Sequence, residues 1–145
     1  MKKQSLLTIV MIFFGTCLLW IPFLFLFVTS LFGTIQSGMV RFDYLLIGEM
    51  FPLILLGGGL IIGAAFREKR FWKLLLSLYI SAIVLLFGSQ GLAIATGIAS
   101  GTRPPEGVWW IVVLGGIILY SLLSLVLAIY SVILFKGIIR PKPTK

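Results

Sequence analysis

The sequence has no histidine, one cysteine and four acidic side chains, Asp43, Glu49, Glu68 and Glu106. Each shortage removes a class of chemistry. A zinc site wants three or four converging Cys, His or carboxylate ligands, and haem is held by His, Met or Cys. Without histidine and with Cys17 alone, neither group is expected. A single cysteine cannot close an intrachain disulfide, which excludes a quinone-linked thiol oxidoreductase. Ser–His–Asp and Cys–His catalysis lack their base. Only Glu49 falls inside an apolar segment, so no pair of intramembrane carboxylates is available. The chain reads as a non-enzymatic protein with no cofactor and no metal.

Charge is scarce as well. Charged residues make up 11 % of the 145 positions and apolar or aromatic ones 60 %, with a mean hydropathy of +1.17. A soluble domain carries about 25 % charged residues. The present chain has too little polar surface to cover a core in water, and too many hydrophobes for disorder. Four apolar runs fill it, at about 6–32, 44–65, 74–99 and 109–135. Each exceeds or approaches the roughly 20 residues that cross a bilayer as a helix. Lipid-exposed backbone must satisfy its own hydrogen bonds, so the runs are predicted helices. The connections are short. The expected fold is an all-α membrane protein, a four-transmembrane-helix bundle occupying 1–145 as one domain.

The basic residues predict its orientation. Lys2 and Lys3 precede the first run, Arg67, Lys69, Arg70 and Lys73 separate the second from the third, and Lys136, Arg140, Lys142 and Lys145 follow the fourth. The opposite side has only Arg41 and Arg103, each with an acid nearby. The positive-inside rule places both termini in the cytoplasm. The net charge of +8 is thereby read as topology and as contact with anionic lipid through Arg67, Lys69, Arg70 and Lys73. Short basic runs beside spans do not suit a nucleic-acid partner. Trp72, Tyr44 and the Trp109-Trp110 pair fall at span ends, where amphipathic rings settle at the headgroup level. The first run exceeds the 7–15 residues of a leader's apolar region, so it reads as a span. Cys17 within it reads as a small buried hydrophobe.

Two patterns inside the spans are candidates for function. Glu49 is the only formal charge in a span. Sixteen residues of helix rise place it about 24 Å from the cytoplasmic boundary of a core about 30 Å thick. An ionised carboxylate there must face protein or water, or take up a proton. Pro52, three residues on, is expected to bend the helix beside it. The same depth count reaches Gln90 in the third span and Tyr120 in the fourth, with Trp20 of the first nearby. A polar cluster of Glu49, Gln90, Tyr120 and Trp20 is one expectation; unrelated interhelix hydrogen bonds are the other.

The second pattern is small residues four apart: Ser89, Ala93, Gly97 and Gly101 in the third span, Gly59 and Gly63 in the second. Such spacing lets helix backbones approach, which drives association where lipid removes the hydrophobic effect between helices. The partners implied are membrane lipids and either a membrane-protein partner or a second copy. Two functions follow. One is an accessory, assembly, regulatory or immunity-type subunit acting through helix contacts. The other is a small proton-coupled transporter or channel with Glu49 as the coupling carboxyl. A bacterial or archaeal plasma membrane is the simplest expected location.

Overall fold

The computed structural model describes residues 6–37, 50–102, 104 and 106–139. Among them the chain forms four helices: α1 (Leu6–Ser37), α2 (Phe51–Glu68), α3 (Trp72–Ala95) and α4 (Gly107–Ile139). All four are long and apolar enough to cross a membrane. No strand occurs among the described residues.

The helix ends follow from local chemistry, and several differ from the sequence expectation. α2 begins at Phe51, so Pro52 lies in its first turn. There the missing N–H has no acceptor to lose, and Pro52 starts the described helix instead of bending it. α2 stops where Lys69 turns left-handed at φ 52°. The Lys69 and Arg70 amides then donate back to Phe66 and Ala65 carbonyls at 3.2 and 3.1 Å, the paired closure of a Schellman turn. Phe71 is also left-handed, at φ 55°, and opens α3. A bulky residue rarely adopts that conformation; here the Phe71 ring packs edge-on against Tyr130 of α4, centroids 6.3 Å apart.

α3 ends earlier than 99. The Thr96 hydroxyl donates to the Leu92 carbonyl at 2.6 Å, and Gly97 then takes φ 75°. Gly97 and Gly101 (φ 69°) therefore belong to the turns after α3. They extend no helical stripe, which corrects their assignment as helix-packing positions. Cys17 is exposed on α1, another correction: the buried face of α1 is Thr8, Ile12, Gly15, Leu19 and Pro22, and position 17 falls opposite it.

Packing joins two sequential pairs. α1 packs chiefly on α2, α3 chiefly on α4, and the pairs meet mainly through α1 and α4. The α1–α2 contact is backbone to backbone. A methyl placed on Gly57 would lie 2.9 Å from the Gly15 carbonyl oxygen, and one on Gly15 would lie 3.0 Å from that of Gly57. The next residue, Gly58, receives the Tyr79 ring of α3, whose hydroxyl donates to the Leu55 carbonyl at 2.8 Å. The Cδ2–Cε2 edge of the ring thus reaches the α2 backbone because Gly58 has no side chain in its way. On the other side, Ser89 of α3 packs against Gly116 of α4. Ser89 and Ala93 are buried, as the spacing predicted, whereas Gly63 meets only the end of Met11 and Gly59 is exposed. Around these approaches Ile12, Leu19, Ile61, Leu75, Leu86, Leu127 and Leu134 form one buried cluster.

The glycines of α2 are accordingly unequal. Gly57→Ala is expected to destabilise the bundle by about 1–3 kcal/mol, because its methyl meets backbone that cannot swing aside. Gly59→Ala meets nothing closer than the Tyr79 hydroxyl at 3.9 Å and is expected to be neutral or to gain up to about 1 kcal/mol of helix propensity. Reversible unfolding in mixed detergent micelles measures both.

Candidate functional site

The buried face of α4 carries Tyr120, Ser124, Ala128 and Ser131, positions that recur on one side of a helix. Ser131 returns its hydroxyl to the Ala128 carbonyl at 2.7 Å. Tyr120 and Ser124 do not: their buried oxygens have no hydrogen-bond partner among the described residues, and neither do the Thr16 hydroxyl and the Trp20 indole nitrogen of α1. Two neighbouring helices thus bring four orphaned polar atoms into an apolar bundle. Each such group costs about 1–3 kcal/mol if left dry, and lipid offers no substitute partner.

Their depths can be compared. Phe13 and Phe135 touch with centroids 6.3 Å apart, which sets the register of α1 against α4. At 1.5 Å per residue, Thr16 lies about 4 Å above that level, Trp20 about 10 Å, Ser124 about 16 Å and Tyr120 about 22 Å. The residues that carry these groups step along the seam at intervals of about one helical turn, with the Tyr120 and Ser124 hydroxyls facing one another on α4. Pro22 is fully buried in the same stretch of α1, and having no N–H it leaves the Leu18 carbonyl without its helical donor. The seam offers hydroxyl and indole donors and hydroxyl and carbonyl acceptors, and no formal charge. Such a set suits water or another neutral hydrogen-bonding occupant.

The cluster expected from sequence is only partly assembled. Trp20 and Tyr120 both belong to the packed core. Gln90 does not join them: it is exposed on α3, one turn beyond Phe87, whose ring meets Phe51 at the start of α2. Ser89 packs on Gly116 of the antiparallel α4, which sets Gln90 about 7 Å, more than one helical turn, from the level of Tyr120, and the helix turns its side chain outward. Glu49 lies outside the described residues. Ser124, one turn on from Tyr120, is buried on the same face, whereas Ser121 bonds the Ile117 carbonyl at 3.0 Å. The missed signal was the four-residue step from Tyr120 to Ser124 to Ala128.

At the other end of the bundle the basic residues divide. Arg70 donates to the Gly137 carbonyl at 3.3 Å and lies 5.5 Å from the Phe71 ring centroid. A cation there answers the partial negative charge at the end of α4, and Gly137 leaves room for it: a methyl would come within 2.5 Å of the guanidinium. Arg67, Lys69 and Lys73 are exposed, with the Lys73 ammonium 5.7 Å from the Trp72 ring centroid.

The seam makes an unusual expectation for a tyrosine. Tyr120→Phe removes an oxygen whose one polar neighbour among the described residues is the Ser124 hydroxyl a turn away, so stability is expected to hold within about 1 kcal/mol. Leu127→Ala, from the same face, is expected to cost about 2–5 kcal/mol through its cavity. Unfolding of both variants in the same micelles is the check; a clear loss in Tyr120→Phe that Ser124→Ala does not share would show that the hydroxyl holds a bound molecule.

Comparison of the sequence and fold with protein-family models, curated proteins and solved structures finds no match, so a functional reading rests on the chain's own surfaces and chemistry.

Proposed function

We propose that this chain is a non-enzymatic accessory subunit of a membrane assembly, acting through helix contacts. One observation carries the reading. Val84, Gly88, Gly91 and Ala95 recur every three or four residues on α3, and all four are exposed. They lie opposite the Ala82, Leu86, Ser89 and Ala93 stripe that packs inside the chain. A methyl built on Gly88 or Gly91 meets nothing within 4 Å. Glycine in a helix interior costs about 1 kcal/mol against alanine, and here no contact within the described residues returns it. Small residues in this spacing suit close approach of another membrane helix. The occupant proposed is a helix of a larger partner, and a second copy of this chain is the competing outcome.

The setting proposed with it is a bacterial or archaeal plasma membrane with both termini cytoplasmic, supported by the distribution of lysine and arginine. A second reading, a proton-coupled transporter using Glu49, is favoured by the unpartnered polar atoms along the α1–α4 seam. A transporter should lose pH-dependent substrate movement in Glu49→Gln, whereas an accessory subunit should keep its abundance and its partner.

The accessory reading makes a specific demand. Wild-type protein extracted from native membranes into nanodiscs is expected to carry a stoichiometric membrane partner. Gly88→Leu and Gly91→Leu are expected to lose that partner about tenfold or more while keeping their own unfolding midpoint, since both sites are open in the isolated chain. Retention of the partner in both variants contradicts the assignment. Orientation is checked separately with Gly38→Cys and Thr144→Cys in a Cys17→Ser background: an impermeant maleimide applied from outside should label position 38 and spare position 144.

A further inference from the structure

We infer that α3 carries a binding site for one anionic phospholipid beside its first turns. A groove of about 400 Å³ runs along the helix there, lined by Trp72, Lys73, Leu76, Ser77, Ile80 and Ser81. Its chemistry changes along its length. At the mouth are an ammonium and an indole, with the Lys73 nitrogen 5.7 Å from the Trp72 ring centroid. Deeper in, Leu76 and Ile80 provide apolar walls, and Ser77 and Ser81 are too small to fill the space between.

Three observations fit a phosphate-headed lipid. The groove spans Trp72 to Ser81, nine helical steps or about 14 Å, close to half of a hydrocarbon core about 30 Å thick. It therefore matches the depth of a single leaflet. The mouth coincides with the start of α3, where Phe71 supplies no side-chain cap. The first amides of a helix have no acceptor within it and point at whatever lies beyond, an arrangement suited to phosphate. Finally, the mouth carries net positive charge: Lys73 stands on α3 itself, exposed Arg67 lies in the last turn of α2 and exposed Lys69 in the connection, against the single acid Glu68 between them. Arg70 is engaged at Gly137 and is not assigned to the site. The acyl chain lies against Leu76 and Ile80, and the phosphate meets Lys73 and the first amides of α3.

The groove continues the α3 face that carries Val84, Gly88 and Gly91, and the variants separate the two: Lys73→Gln weakens the lipid and leaves the partner, and Gly88→Leu does the reverse. The test is native mass spectrometry of the full chain released from nanodiscs, using dioleoyl phosphatidylglycerol and dioleoyl phosphatidylcholine as probes. One phosphatidylglycerol is expected to remain bound per chain, in clear preference to phosphatidylcholine. Lys73→Gln is expected to lower its retention about fivefold, the contribution of one surface cation to an anionic leaflet. Ser77→Phe, which fills the groove, is expected to abolish it. Should Ser77→Phe fail to fold, the exposed Lys73→Gln still decides. Equal retention of both lipids, or unchanged retention in Lys73→Gln, overturns the proposal. Displacement by millimolar inorganic phosphate would identify a free-anion site and likewise overturn it, as would a dimer with no lipid retained.

Discussion

The structure depends on the contact between two backbones at Gly15 and Gly57. In lipid no hydrophobic effect draws apolar helices together, so affinity has to come from proximity and from polar pairs. Each glycine lies so close to the other's carbonyl oxygen that a methyl could not be inserted. That approach sets α1 against α2. It also brings Gly58 to the side where the Tyr79 ring can lie on bare backbone and reach the Leu55 carbonyl. The placement of α3 thus follows from the same glycine run. α4 then closes the bundle against α3 through Ser89 and Gly116.

The molecule spends its few polar groups unevenly. Several serine and threonine hydroxyls bond a carbonyl of their own helix, as Ser89, Thr96, Ser121 and Ser131 do. These bonds spare the apolar surroundings an unsatisfied donor. Thr16, Trp20, Tyr120 and Ser124 break that habit along one seam. The contrast separates side chains that help a helix sit in lipid from side chains that the fold leaves available. The glycines divide in the same way. Gly15, Gly57, Gly58 and Gly116 are each closed against a neighbour, whereas Gly88, Gly91 and Gly115 stand open.

Much of the architecture was legible in the sequence because lipid leaves a chain few choices. Uninterrupted apolar runs had to be helices, and their number and order could be read directly. Helix ends were less legible, since they turn on single residues: Lys69 and Phe71 adopt left-handed backbone without the glycine that normally announces it. The site was legible neither in depth nor in direction. Counting residues put Gln90 and Tyr120 at one level, but the Ser89–Gly116 contact offsets them by more than a turn, and which side of a helix faces the bundle depends on its neighbours. The α3 pattern is nearly apolar all round, so periodicity gave no guide to the face that packs. The small-residue stripe shows the same limit. Ser89 and Ala93 pack inside as expected, and the open stripe of Gly88 and Gly91 becomes visible only once the inner face is known.

The central claim is that the far half of α3 is a docking surface for another membrane protein. Site-specific photo-crosslinking in native membranes tests it most directly, with the reactive group at Val84 and, for comparison, at Leu122, which is exposed on α4. The account predicts a discrete protein adduct from Val84 and only lipid adducts from Leu122. Lipid adducts alone from both positions would contradict it and leave the open glycines of α3 facing the bilayer.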